Sequence, residues 1–251
     1  MIKLFRKIRQ RLLFENRLGN YLLYAVGEIV LVVVGILLAL QINNWSEAQK
    51  QQKEEKKLLT ALLEDFTENK TRIEATLHLE TDMLQLSKSL IQVMQSEKST
   101  IHPDTLRFWV ASGAKSWWKT EFVTGTYDAM VSSGKVDILE NDDLKQVLSQ
   151  FSADITSGFE DHYESMQYLI EMNKLSAKIA PALIHDTQRE VLGVLPDTDF
   201  DTAILQLADN EAYLGLLISK TWIETLRIKY QQKLLGYIDE ILVLCEAEQQ
   251  R

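Results

Sequence analysis

The chain has 251 residues, 46% hydrophobic and 25% charged, with a formal net charge of −9. Its single cysteine, Cys245, excludes an internal disulfide and any zinc site built on paired thiolates. Ten glycines and three prolines leave no low-complexity linker, and the acidic balance excludes the basic footprint that nucleic acid requires.

Residues 1–20 form a basic leader. Lys3, Arg6, Lys7, Arg9, Arg11 and Arg17 stand against Glu15 alone. Ile2, Phe5, Ile8, Leu12 and Leu13 recur at three- and four-residue steps, which reads equally as an amphipathic helix on an anionic membrane surface or as a topogenic charge cluster.

Residues 21–45 read as a transmembrane helix. From Tyr21 to Ile42 the only charge is Glu28, and that length spans a bilayer core of about 30 Å at about 1.5 Å per residue. Tyr21, Tyr24 and Trp45 suit the two interfaces. The leader's cations outweigh Lys50, Lys53, Lys56 and Lys57, which are mixed with Glu47, Glu54 and Glu55, so the N-terminus is expected in the cytoplasm and residues 46–251 outside it. A cleaved signal peptide ending at Ser46-Glu47-Ala48 is the rival. The apolar run is longer than a secretory core and is followed by polar and bulky residues, which favours the uncleaved anchor.

The exported part carries −13 once the leader's +5 and Glu28 are set aside. No Gly or Pro interrupts the chain from Glu47 to Ser96. Leu59, Leu62, Phe66, Ile73, Leu77, Leu84, Ile91 and Met94 mark one helical face there, either the first helix of a bundle or a coiled-coil seam. Nothing breaks it from the span. Pro103 and Asp104 open a short aromatic segment that runs to Trp118. Thr124-Gly125-Thr126 opens a second short helix, closed by Gly134 as a left-handed cap, and Lys135–Leu139 reads as a non-helical link.

Asn141 caps a long helix whose apolar positions, Leu144, Val147, Leu148, Phe151, Ile155, Phe159, Met166, Leu169, Leu175 and Ile179, continue to Pro181. Residues 182–201 are irregular. A final helix from Asn210 to Glu248 presents Tyr213, Leu216, Leu217, Ile223, Leu226, Tyr230, Leu234, Tyr237, Ile238, Ile241 and Leu244. The chain is therefore all-α: one N-terminal transmembrane helix, then a long-helix bundle with short connecting helices.

The opening Met1-Ile2-Lys3 and Phe5-Arg6-Lys7-Ile8-Arg9, then Val26-Gly27-Glu28-Ile29 and Gly35 through Trp45 (GILLALQINNW), resembles a bacterial family of uncharacterised single-span membrane proteins. A looser likeness continues from Thr126-Tyr127-Asp128 through Ser132-Ser133-Gly134-Lys135 to Asn141 and Leu144. The resemblance implies a bacterial inner-membrane location and brings no activity, cofactor or catalytic residue with it.

Chemistry-bearing residues are few. Glu28 is costly inside a bilayer and reads as a proton relay, a contact to another helix or, as the preferred reading, an interfacial carboxylate. Gly35 and Ala39 form a small-x-x-x-small pair that favours close helix approach. Ser112-x-x-Lys115 and Ser116-x-x-Lys119 imitate a penicillin-recognising motif but lack its partner motifs. Asp197-x-Asp199-x-Asp201 imitates half a calcium loop, with Thr202 and Ala208 where Gly and Glu are needed. His78, His102, His162 and His185 are scattered, and His162 reads as part of a solvated face. Cys245 reads as buried filler. No cofactor or metal site is expected. The leading reading is a non-enzymatic membrane-anchored scaffold or sensor-like module that binds an unknown protein or itself, with the lipid bilayer as its other partner. The alternative is an enzyme or small-ligand receptor using an aromatic pocket of Trp109, Trp117, Trp118, Phe122 and Tyr127, whose ordinary role would be core packing.

Overall fold

The computed structural model describes residues 18–96, 101–157, 159–179 and 200–250. The basic leader up to Arg17, the segment around His185 and the pair Asp197 and Asp199 lie outside the described residues. Helices are α1 (Leu18–Met94), α2 (Pro103–Trp109), α3 (Gly125–Ser132), α4 (Asp142–Ser157), α5 (Phe159–Ile179), α6 (Phe200–Ala208) and α7 (Glu211–Gln249), with a π turn at Val110–Ala114 and a 3-10 turn at Val136–Ile138. No strand occurs among the described residues. The chain divides into two compact units, Met1–Lys57 and Leu58–Arg251.

In the first unit, α1 is the one helix among the described residues long and apolar enough to cross a membrane. Every residue from Ile29 to Lys50 is exposed, including Leu31, Ile36, Leu37 and Trp45. Glu28, Gly35 and Ala39 share one face, because steps of seven and four residues return to the same side of a helix. Glu28 is half-buried, and a methyl group added at Gly35 would meet nothing within 4 Å.

The second unit holds two apolar clusters. The first joins Leu59, Leu62, Phe66 and Ile73 of α1 to Val147, Leu148 and Phe151 of α4 and to Leu234, Ile238, Ile241 and Cys245 of α7. Phe151 meets Phe66 and Phe122 edge-on at ring-centroid distances of 5.1 and 5.3 Å. The second joins Leu90, Val93 and Met94 to Leu106, Val110 and Ala114, to Met172 of α5, to Ile204 and Leu207 of α6, and to Tyr213 and Leu217 of α7. Cross-links between Thr60 and Gln249, Lys70 and Asp239, and Glu80 and Gln231 run in opposite directions along the two chains, so α1 and α7 are antiparallel. The α1 face therefore belongs to a bundle rather than to a coiled-coil seam.

Helix ends follow local chemistry. Leu144 N–H donates to Asn141 Oδ1 at 2.9 Å, and Tyr213 N–H donates to Asn210 Oδ1 at 2.9 Å, each satisfying a donor that the first turn leaves without a partner. Gly134 has φ of 67°, the left-handed conformation that only glycine adopts cheaply. Three expectations need correction. The aromatic segment from Pro103 leaves helical form after Ala114, and Lys115–Thr124 is neither helix nor strand. The helix read from Leu144 to Ile179 is two helices flanking Gly158, which lies outside the described residues. A further helix, α6, occupies residues read as irregular or left without an assignment, and Leu207 within it is fully buried.

Gly113 is the close-approach point. A Cβ there would lie 2.8 Å from Leu86 Cβ and 2.9 Å from Ser87 N, so the π turn packs directly on the α1 backbone. Gly113→Ala is expected to cost about 1–3 kcal/mol by overpacking. Phe151→Ala is expected to cost about 3–5 kcal/mol through a cavity. Val243→Ala, on an exposed site, should stay within about 0.5 kcal/mol. Urea denaturation followed by tryptophan fluorescence measures all three, and equal losses at Phe151 and Val243 would overturn the packing described.

Candidate functional site

Between the two apolar clusters lies a buried polar layer. On α7, Lys220, Glu224, Arg227 and Gln231 follow one another at steps of four, three and four residues, which places them on one helical face. All four are buried, Arg227 to 1% exposure. They meet Glu80 and Met83 of α1, Ser165 and His162 of α5, and the backbone of the non-helical segment Lys115–Thr124.

Arg227 is the node. Its Nη2 donates to Glu80 Oε1 at 3.0 Å and to the carbonyl of Trp118, Nη1 donates to Glu224 Oε2, and Nε donates to His162 Nδ1 at 2.9 Å. The guanidinium also lies 5.0 Å from the centre of the Trp117 ring. Gln231 Nε2 donates to Glu80 Oε2 at 2.7 Å, while its Oε1 accepts from Thr120 Oγ1 at 3.0 Å. Lys220 donates to the Ser116 carbonyl at 2.9 Å, with Glu224 Oε1 at 3.4 Å, and Ser165 donates its hydroxyl to that same carboxylate oxygen. Two carboxylates thus face two cations away from water.

The segment Lys115–Thr124 is also held by α1. Asn69 donates to the Val123 carbonyl at 2.8 Å and accepts from the Val123 N–H at 2.7 Å, and Arg72 donates to the Glu121 carbonyl at 3.0 Å. Side chains here replace the hydrogen bonds that a helix or a sheet would have supplied.

Burial dominates the protonation of this layer. It pushes the Glu80 carboxyl up to about 7, against the pull of Arg227. It lowers the Lys220 ammonium from its ordinary range, against Glu224. His162 is held down at about 4 by burial, then by the positive charges of Arg227 and Lys119. Its ring is therefore neutral near pH 7. With Nδ1 accepting from Arg227, the ring proton sits on Nε2. Cys245 is fully buried, and burial raises its thiol to about 12, which fits packing rather than reactivity.

A cleft of about 330 Å³ adjoins the layer. His162, Arg227 and Gln231 reach its wall from the network, and Phe122, Ile155 and Leu234 give it an apolar side. The aromatic pocket expected from Trp109 to Tyr127 is not assembled as one site. Trp109 packs on the second apolar cluster and Tyr127 on the first, Trp117 stacks on Arg227, and Trp118 is 43% exposed. Phe122 alone of the five lines the cleft. His162 is not on a solvated face: it is half-buried between Arg227 and Trp117. Glu80, Lys220, Glu224, Arg227 and Gln231 were missed, although the spacing on α7 was visible in the sequence. Among the described residues no group of three His, Cys, Asp or Glu is placed to hold a metal ion.

A model described as Family of unknown function (DUF6090) matches residues 28–180. No curated protein and no solved structure matches the chain. Glu80, the segment Lys115–Thr124 and His162 fall within the matched residues, and Lys220, Glu224, Arg227 and Gln231 fall beyond them.

Arg227→Met should destabilise the second unit by about 3–5 kcal/mol, since it leaves two carboxylates buried without their partner. Arg227→Lys should rescue little, having no planar fork. The pH dependence has a definite sign. Glu80 holds its proton more firmly in the native state, so its contribution is present at low pH and lost as pH climbs from 4.5 to about 7. His162 resists its proton, so its contribution is present above 6.5 and lost as pH falls to about 4. The two oppose each other. The stability difference between wild type and Glu80→Gln should shrink as pH rises through that window, read as urea midpoints; a pH-independent difference would show that Glu80 does not titrate there.

Proposed function

The chain belongs to the family of unknown function (DUF6090), which lends it no activity, and we propose from its own residues that it is a membrane-anchored, sensor-like interaction module. In this reading the span at residues 21–45 holds the chain in a bacterial cytoplasmic membrane with its leader inside. Residues 46–251 form an exported helical bundle that engages a protein partner or a second copy. The observation that carries it is the contrast between the units: from Ile29 to Lys50 every residue is exposed, while the second unit buries its own core. A row of exposed Leu, Ile and Val on one helix is unfavourable in water and favourable in lipid. The acidic bundle supports a protein or small-molecule partner over nucleic acid.

A second reading, a small-ligand receptor, is favoured by the cleft beside Arg227. Its volume falls within the range of small-molecule sites, about 300–1,000 Å³. This replaces the aromatic pocket as the place where a ligand would sit.

Alkaline carbonate extraction should leave the full-length chain in the membrane pellet. A shortened chain in the soluble fraction would mean a cleaved signal peptide and overturn the anchor. A reporter active only outside the cytoplasm, fused after Arg251, should be active. Neutralising Lys3, Arg6, Lys7, Arg9, Arg11 and Arg17 together should scramble that orientation.

A further inference from the structure

We propose that the non-helical segment Lys115–Thr124 is a proton-controlled strap: it lies closed over the buried polar layer while Glu80 carries a proton and opens as Glu80 ionises. The proposal deepens the sensor-like reading by naming the signal, proton activity, and the part that moves.

The strap is tied in a way that lets it open by itself. Among the described residues no backbone–backbone hydrogen bond reaches Trp117–Val123. Side chains hold the segment instead. Lys220 and Arg227 of α7 donate to the carbonyls of Ser116 and Trp118, and Gln231 accepts from the Thr120 hydroxyl. From α1, Arg72 donates to the Glu121 carbonyl, and Asn69 bonds both backbone groups of Val123. A segment held by separate side-chain bonds opens locally at a smaller cost than a core helix. Three of the ties end on the polar layer, so a change of charge in that layer reaches the strap.

Glu80 is the group where such a change occurs. It has no exposed surface. Arg227, Gln231, Glu224 and Lys220 of α7 act on it. Ser165 and His162 of α5 stand one step further, on Glu224 and Arg227, and Lys119 of the strap acts on His162. The line Glu80–Gln231–Thr120, with links of 2.7 and 3.0 Å, can run in either direction. With Glu80 ionised, Thr120 donates to Gln231 and Gln231 donates to Glu80. With Glu80 protonated, a half-turn of the Gln231 amide lets the carboxyl donate to Oε1 while Nε2 donates to Thr120. Protonation therefore keeps the strap tied. Ionisation keeps the same ties but places a second carboxylate charge beside Glu224 away from water, and opening the strap relieves that by hydration.

The sign follows from linkage. In the closed form Glu80 holds its proton up to about 7, against 4.5 for an ordinary hydrated carboxyl. The closed form is thus favoured at low pH, and its advantage is lost as pH rises from 4.5 to about 7. Across that window the opening constant grows by up to about tenfold per pH unit. His162, held down at about 4, acts in the opposite sense wherever opening hydrates it.

The test is amide hydrogen exchange of the full chain in phosphatidylcholine nanodiscs, resolved at Val123 and, as a measure of global unfolding, at Leu234 and Ile238 of α7. Rates divided by those of an unstructured peptide at the same pH give the opening constant. Val123 is expected to exchange at least about tenfold faster than the two α7 amides, as a local opening requires. The ratio of the Val123 opening constant in wild type to that in Glu80→Gln cancels the share of His162. That ratio should rise by about tenfold from about pH 5.5 to about pH 7.5. Glu80→Met, equally unable to titrate, gives the second comparison, and circular dichroism identical to wild type qualifies each variant. A ratio independent of pH, or Val123 exchanging no faster than α7, would overturn the strap. Either result leaves the anchor reading to carbonate extraction, which scores it separately.

Discussion

A guanidinium cannot surrender its proton, so burying Arg227 obliges the interior to supply acceptors for it. The chain does so from four directions. Glu224 comes from the same helix, Glu80 from α1, His162 from α5, and the Trp118 carbonyl from the segment Lys115–Thr124. Each partner is thereby fixed in distance and direction relative to α7. Remove any one and a polar group is stranded away from water, at a cost comparable to a large fraction of a domain's net stability. The layer is consequently an all-or-none feature, and the apolar clusters on either side exclude the water that would soften it.

The same demand accounts for the shape of Lys115–Thr124. A helix would have consumed the carbonyls of Ser116 and Trp118 internally, leaving Lys220 and Arg227 without acceptors. A non-helical backbone frees those carbonyls, and the Glu121 and Val123 backbone groups are met by Arg72 and Asn69 from α1. Thr120 reaches Gln231 and Phe122 reaches Phe151, and both line the cleft. The cleft is thus a by-product of the acceptor problem: the segment that serves Arg227 cannot pack as closely as a helix would.

The long helices were legible because their apolar positions recur at three and four residues over many turns, and the caps at Asn141, Asn210 and Gly134 were legible because each has a local mechanism. The layer was not, for a physical reason. Periodicity reports which face avoids water, and a charge counts against burial however well it is paired. Lys220, Glu224 and Arg227 therefore drew no attention in the sequence. Glu80 is 147 residues away from Arg227, a pairing no local pattern reveals. Trp117 and Trp118 misled in the other direction, since aromatic residues close in sequence suggest one pocket, while here Trp117 lies against Arg227 and Trp118 is exposed. The division between α4 and α5 was passed over because the apolar stripe continues through both helices.

The layer also specifies what the apolar faces leave open. Leu59, Phe66 and Ile73 on α1 repeat at seven residues, and such a face packs almost as well when slid by one heptad. Apolar burial is non-directional, so it cannot choose between those registers on its own. A shift of seven residues along α7 would set Arg227 against Ile73 or Ser87 in place of Glu80, and Glu80 against Leu234 or Lys220 in place of Arg227. That costs more than the slip could recover, because an unpaired buried charge is far worse than an imperfect apolar contact. Replacing the whole layer by well-fitted apolar residues need not weaken the fold, and in other proteins has strengthened it. What the layer contributes here is therefore selection of one alignment of α1 with α7. That alignment brings Arg227, His162 and Phe122 to the wall of a single cleft.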